Sequence, residues 1–167
     1  MLIFIFVLMR TRLYSQQFFV SLSIIWFAGI FITCLMPTFG PCFLFPEKFS
    51  GLPITEMNEM QASLWMMKDY VVQNPKSPFA AYLISAFPSL HVTLIVLGSL
   101  YLFNISKVLG LASWAFAIFT IIATLYFGWH YLADDVAAIF IALMAKRLSP
   151  VIVAKLGGVE SESLYGN

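Results

Sequence analysis

The chain has 167 residues, of which 61% are hydrophobic and only 10% charged, with a net charge of +1. Its mean hydropathy is +0.91. Nine basic and eight acidic residues are too few to coat a water-facing surface, which excludes a soluble globular enzyme, a nucleic-acid binder and a disordered chain.

The elements follow from where charge is missing. The apolar start, 1–9, is too short to span a bilayer and lacks the basic leader of a secretory signal. It reads as a short anchor or the end of a helix whose beginning is absent. No charge falls in 13–46, in 77–106 or in 108–133. The first gap predicts a span over 18–36 that stops at Pro37. Residues 37–85 then form a loop broken by Pro37, Pro41, Pro46 and Pro53 with Gly40 and Gly51. Within it, 55–73 mixes charge with Met, Trp and Tyr and predicts an interfacial helix over the bundle mouth. Further spans are predicted over 88–103, 108–129 and 131–145. In lipid such segments must be helices, because every backbone amide needs a partner within the element. The expected class is therefore all-α: a polytopic membrane helical bundle of about four spans plus an N-terminal stub. One domain covers 1–156, and 157–167 reads as a flexible tail.

The basic residues orient the chain. With Arg10 and Arg12 in the cytoplasm, Lys107, Lys146, Arg147 and Lys155 also fall inside. Lys48, Lys68 and Lys76 fall in the outer loop. Cys34 and Cys42, too few for a disulfide framework, read as apolar fillers.

The chain has two histidines, His91 and His130. Each ends or opens an apolar run, and the topology puts both on the outer face. Asp134 follows His130 by one helical turn, so the two share a helix face. A carboxylate there is placed to accept one ring N–H and make the other nitrogen a nucleophile or base. Asp135 faces elsewhere and reads as a cap on the helix start. His91 follows Pro88 and Ser89 at another helix start, where free N–H groups and a serine hydroxyl suit a phosphate. A metal at His130 and Asp134 lacks a third ligand with sensible spacing. Two other readings remain open: a histidine–aspartate bond that only ties helices together, and a small transporter whose His and Asp relay protons.

Two motifs together resemble the type 2 phosphatidic acid phosphatase (PAP2) superfamily, in the form of its inositolphosphotransferase-like branch. Ala86-Phe87-Pro88-Ser89-Leu90-His91 resembles the second superfamily motif. Thr124-Leu125-Tyr126-Phe127-Gly128-Trp129-His130-Tyr131-Leu132-Ala133-Asp134 resembles the third. Pro37-Thr38-Phe39-Gly40-Pro41 is similar to a turn in bacterial members. The resemblance implies a six-helix bundle with its active site at the outer or lumenal membrane face. It implies that His130 attacks phosphorus, Asp134 orients it and His91 protonates the leaving oxygen. Ser89 and backbone amides would hold the phosphate. Thr124 stands where the wider superfamily has arginine and the branch has threonine. The phosphate-binding cation would come from the outer-loop lysines, with Lys76 first. The implied partners are a lipid phosphate substrate and membrane lipids, without a cofactor or nucleic acid; the oligomeric state stays open. A degenerate, non-catalytic member acting as a structural partner is the alternative.

Overall fold

The computed structural model describes residues 11–53, 55–74, 76 and 85–165, with side chains through 157. The expected stub over 1–9 lies outside them. Among the described residues the chain is all helical, and three helices are long and apolar enough to cross a membrane.

Helix α1 is Arg12–Leu35, opened by Thr11, whose hydroxyl accepts the Tyr14 N–H at 3.3 Å. It starts six residues before the predicted span, because Thr11 caps it and Arg12 can extend its charged head toward water. A short α2, Pro41–Leu44, and a 3-10 turn, Pro46–Lys48, follow. Helix α3, Glu56–Gln73, falls on the helix predicted over 55–73. At its start the Asn58 Oδ1 accepts the Thr55 N–H at 2.8 Å.

Helices α4, Leu90–Ile105, and α5, Lys107–Tyr126, form a hairpin with Ser106 alone between them. Gly110 makes that close return possible, because a Cβ there would strike the Phe103 backbone. Sixteen residues make α4 shorter than the other spans. Helix α5 ends at Tyr126, three residues before the predicted end, because Gly128 turns the chain with φ +71°. Helix α6, Leu132–Tyr165, carries its apolar span to Gly157 and continues where the sequence suggested a loose tail.

Helices α1, α4 and α6 pack mutually, and α5 lies along α4. Their core contains Phe18, Ile25, Val92, Val96, Leu97 and Tyr101 against Ala138, Ala142 and Ala145. The three alanines are fully enclosed; small residues at that spacing let helix backbones approach, which is how helices associate in lipid. A polar knot crosses the same core. The Tyr101 hydroxyl lies 2.9 Å from Ser21 Oγ and 3.2 Å from Ser149 Oγ. The Lys146 ammonium donates to the Leu100 carbonyl at 2.6 Å.

This connectivity gathers four helix ends on one side of the bundle. The end of α1, the start of α4, the end of α5 and the start of α6 all meet there. His91 and His130 are therefore neighbours in space, as the topology predicts.

Candidate active site

His130 sits in the five-residue turn between α5 and α6 and is only 8% exposed. Its Nδ1 is 2.7 Å from the carbonyl oxygen of Ala86. A carbonyl can only accept, so Nδ1 carries the hydrogen and Nε2 is left with the lone pair. Asp134 was expected to hold this N–H. It is a flanking charge instead, with Oδ2 3.7 Å from Nδ1. The same oxygen accepts the Tyr131 N–H at 2.7 Å and so caps the start of α6. Burial lowers the His130 pKa below its ordinary 6.5, against the opposing pull of the Ala86 carbonyl and Asp134. Desolvation outweighs the nearby carboxylate, so the ring is held neutral and ready to act as a nucleophile.

His91 occupies the first turn of α4 and is exposed. It is close enough for its charge to oppose protonation of His130. The start of α4 contributes backbone N–H groups that have no partner within the helix. Ser89 is the N-cap of α4: its Oγ accepts the Val92 N–H at 3.4 Å. Pro88 therefore lies just before the cap rather than in the first turn. Ser89 is fully buried, so its hydroxyl holds the helix start from beneath. Thr124 gives its hydroxyl hydrogen to the Ile121 carbonyl at 2.9 Å. Its carbonyl does more for the site, accepting the N–H of Trp129 at 2.9 Å and of His130 at 3.4 Å.

The proline–glycine turn holds these pieces together. Thr38 O accepts the Ala86 N–H at 2.8 Å, and Thr38 Oγ1 accepts the Phe87 N–H at 3.0 Å. The Cys42 N–H donates to Gly128 O at 2.9 Å. Segment 38–42 is thus a strap, tied at one end to the loop before His91 and at the other to the turn before His130. Gly40 is required within it, since a Cβ would overlap the carbonyl oxygen of Trp129. Cys42 itself is buried, which pushes its thiol pKa up to about 11 and keeps it inert.

Helix α3 roofs this end. Gln61 Nε2 donates to Phe127 O at 2.9 Å. Trp65 stacks on Phe43, which meets Trp129 edge-on, and Trp65 also meets Phe39 of the strap. Lys68, one turn on, lies over the Trp65 ring at 3.6 Å and pairs with Asp69 at 2.9 Å. Lys76 is exposed, and among the described residues no contact ties it to the histidines. Lys68, rather than Lys76, is the lysine the fold brings against the strap, with its ammonium 5.6 Å from the Phe39 ring.

The sequence suggests a helix cap at Asp135. It is not a cap but is 1% exposed, and neither carboxylate oxygen has a hydrogen-bond partner. Among the described residues no cluster of His, Cys, Asp and Glu fits a metal ion.

A family model described as the PAP2 superfamily matches residues 1–148. The chain belongs to the PAP2 superfamily. That match spans both histidine segments, the strap and most of the bundle. PAP2 membership agrees with the all-helical fold and supports a phosphatase-type enzyme set in a membrane. No curated protein and no solved structure matches this PAP2 chain.

Proposed function

We propose that the chain is a membrane phosphatase or phosphotransferase acting on a lipid phosphate or phosphodiester through a phosphohistidine at His130. One observation carries the reading: the Ala86 carbonyl fixes the Nδ1 hydrogen and leaves Nε2 unprotonated. In the first step Nε2 forms a bond to phosphorus while the bond to the leaving oxygen breaks. Protonated His91 gives that oxygen its hydrogen. In the second step water or an alcohol attacks the phosphohistidine, His91 takes the proton, and the N–P bond breaks. Asp134 stabilises the positive charge on the ring during attack. The start of α4 supplies N–H groups and its dipole to the phosphate oxygens.

The motif form supports transfer of an inositol-phosphate type head group, with an alcohol as acceptor. The basic residues Arg12 and Lys107, at the helix ends opposite the histidines, support placing the site on the outer or lumenal face.

The test is release or transfer of phosphate from a panel of lipid phosphates by the purified chain in detergent, with His130→Ala and His91→Ala alongside. Both variants should lose turnover, His91→Ala by about 10²–10⁴-fold. With a labelled substrate, quenched protein should carry an acid-labile, base-stable label that His130→Ala lacks. A folded sample that turns over no lipid overturns the reading and leaves a non-catalytic structural partner of the same fold.

A further inference from the structure

The end of the bundle away from the histidines carries a charge pattern that the proposed chemistry leaves unused. Arg12 opens α1, Lys107 opens α5, and Lys146, Arg147 and Lys155 follow one another on α6. Among the described side chains every acid lies elsewhere, in the loop after α1, in α3 or in the first turn of α6. The lysines of that other end are interleaved with acids, and Lys68 pairs with Asp69 at 2.9 Å. The basic end has no such neutralisation.

Side-chain contacts fix where these cations stand. The Lys146 ammonium donates to the Leu100 carbonyl, and the Tyr14 hydroxyl donates to the next carbonyl, Tyr101 O, at 2.7 Å. Lys146 on α6 and the first turn of α1, where Arg12 sits, therefore meet the same turn of α4. At 1.5 Å per residue that turn lies about 9 Å from the hairpin at Ser106, where Lys107 begins α5. An ammonium has three N–H groups. This one gives one to Leu100 O and rests 5.3 Å from the centroid of the Tyr101 ring. A cation at that depth calls for a counter-charge, and the described acids leave none within this end. Arg12, Lys107, Arg147 and Lys155 are exposed around it. A lipid phosphate at the level of the hairpin is the anion that meets all of them, and the field of Lys146 reaches it with little water between to screen it.

We propose that this end of the bundle is a binding surface for the headgroups of anionic phospholipids. Exposed Arg12, Lys107 and Arg147 make the contacts, and Lys146 adds its charge from within. The Lys/Arg bias that orients the chain puts this surface in the cytoplasmic leaflet, which is the anionic one. The surface does not rest on the reading of the histidines as reacting groups.

The test is a titration of phosphatidylglycerol, with phosphatidylcholine beside it, into the full chain in neutral detergent, followed by melting temperature. It is run in wild type and again in His130→Ala, where the proposed chemistry cannot consume the probe. Both should bind phosphatidylglycerol at least about tenfold more tightly than phosphatidylcholine, since each basic residue near an anionic surface contributes about fivefold. Lys146→Met keeps the apolar stem and should lose about fivefold. The exposed triple Arg12→Gln, Lys107→Gln, Arg147→Gln should lose the preference altogether, and it keeps the test open where the Lys146 variant fails to fold. Lys48→Gln, exposed at the other end, should keep it. Equal affinity for the two lipids, or a triple variant that still prefers phosphatidylglycerol, overturns the proposal. So does a preference that vanishes in His130→Ala, which would put the lipid at the histidines. Displacement of the lipid by an equal concentration of inorganic phosphate would mark a site for the free anion and overturn it as well.

Discussion

Replacing Gly40 with alanine adds one methyl group, and the fold leaves no room for it. The new carbon would overlap the Trp129 carbonyl oxygen and sit 2.9 Å from Gly128 O, whereas ordinary contact begins at 3.4 Å. Both obstacles are backbone atoms and cannot rotate aside, so the strap must retreat by about 1 Å to clear the nearer one. The strap holds Ala86 through Thr38, and Ala86 holds Nδ1 of His130. The displacement therefore reaches the nucleophile's anchor. A misplacement of about 1 Å costs about 10²-fold in rate, which predicts a loss of that order in kcat. Overpacking adds a stability loss of about 1–3 kcal/mol. Gly51→Ala is the matched control in the same loop, since a Cβ there meets nothing within 4 Å. It should change stability by less than about 0.5 kcal/mol and leave kcat alone. Melting temperature in detergent and turnover of a phosphate ester read both quantities. A Gly40→Ala protein that melts and turns over like wild type would refute the strap as the support of the site.

Asp134→Asn should keep the cap on α6, because asparagine also accepts the Tyr131 N–H, and so leave melting nearly unchanged. It should still move the acid limb of kcat/KM to lower pH, since the charge that favours protonated His130 is gone; an unmoved limb would count against the pairing. In the wild type that limb should lie below 6.5, because burial lowers the His130 pKa from that value. Folded His130 then binds its proton less readily than the unfolded chain does. Stability should therefore fall as pH drops from about 6.5 through the lowered pKa, and His130→Gln should flatten that slope in a melting series. Tyr101→Phe removes the hydroxyl between Ser21 and Ser149, each of which keeps a backbone partner. It should cost about 0.5–1.5 kcal/mol of stability with kcat unchanged, and a rate effect would link the core knot to the site.

The membrane bundle was legible because hydrocarbon tolerates so little charge. The three uncharged gaps mark the three helices that follow the first loop or precede it, and a one-residue hairpin at Ser106 brings both histidines to one end. Asp134 was legible as a neighbour of His130 because helical spacing alone puts them on one face. What actually holds Nδ1 was not legible, since the Ala86 carbonyl is backbone and any residue carries one. Asp135 shows the same limit from the other side. It follows Asp134 directly, and helical spacing says which way it turns but not that the packed helices bury it there without a hydrogen-bond partner. The Pro37-Thr38-Phe39-Gly40-Pro41 turn was visible as a pattern, while its task depended on segments 48 and 86 residues further along the chain. Lys76 was favoured for its closeness in sequence to His91. The aromatic stack of Trp65 on Phe43, which no spacing rule reveals, brings Lys68 to the strap instead.

The strap works almost entirely through main-chain atoms: the Thr38 carbonyl, the Cys42 amide, and the carbonyls of Gly128 and Ala86. A site supported in this way is insulated from most side-chain change. Exposed Pro37 can vary in polarity and size as long as the backbone path survives. Sensitivity concentrates where a side chain itself holds the path, at the Thr38 hydroxyl, or where any side chain would block it, at Gly40 and Gly128. A saturation scan of this chain would therefore trace its support structure as a few narrow spikes, separate from the broad intolerance expected around His91 and His130.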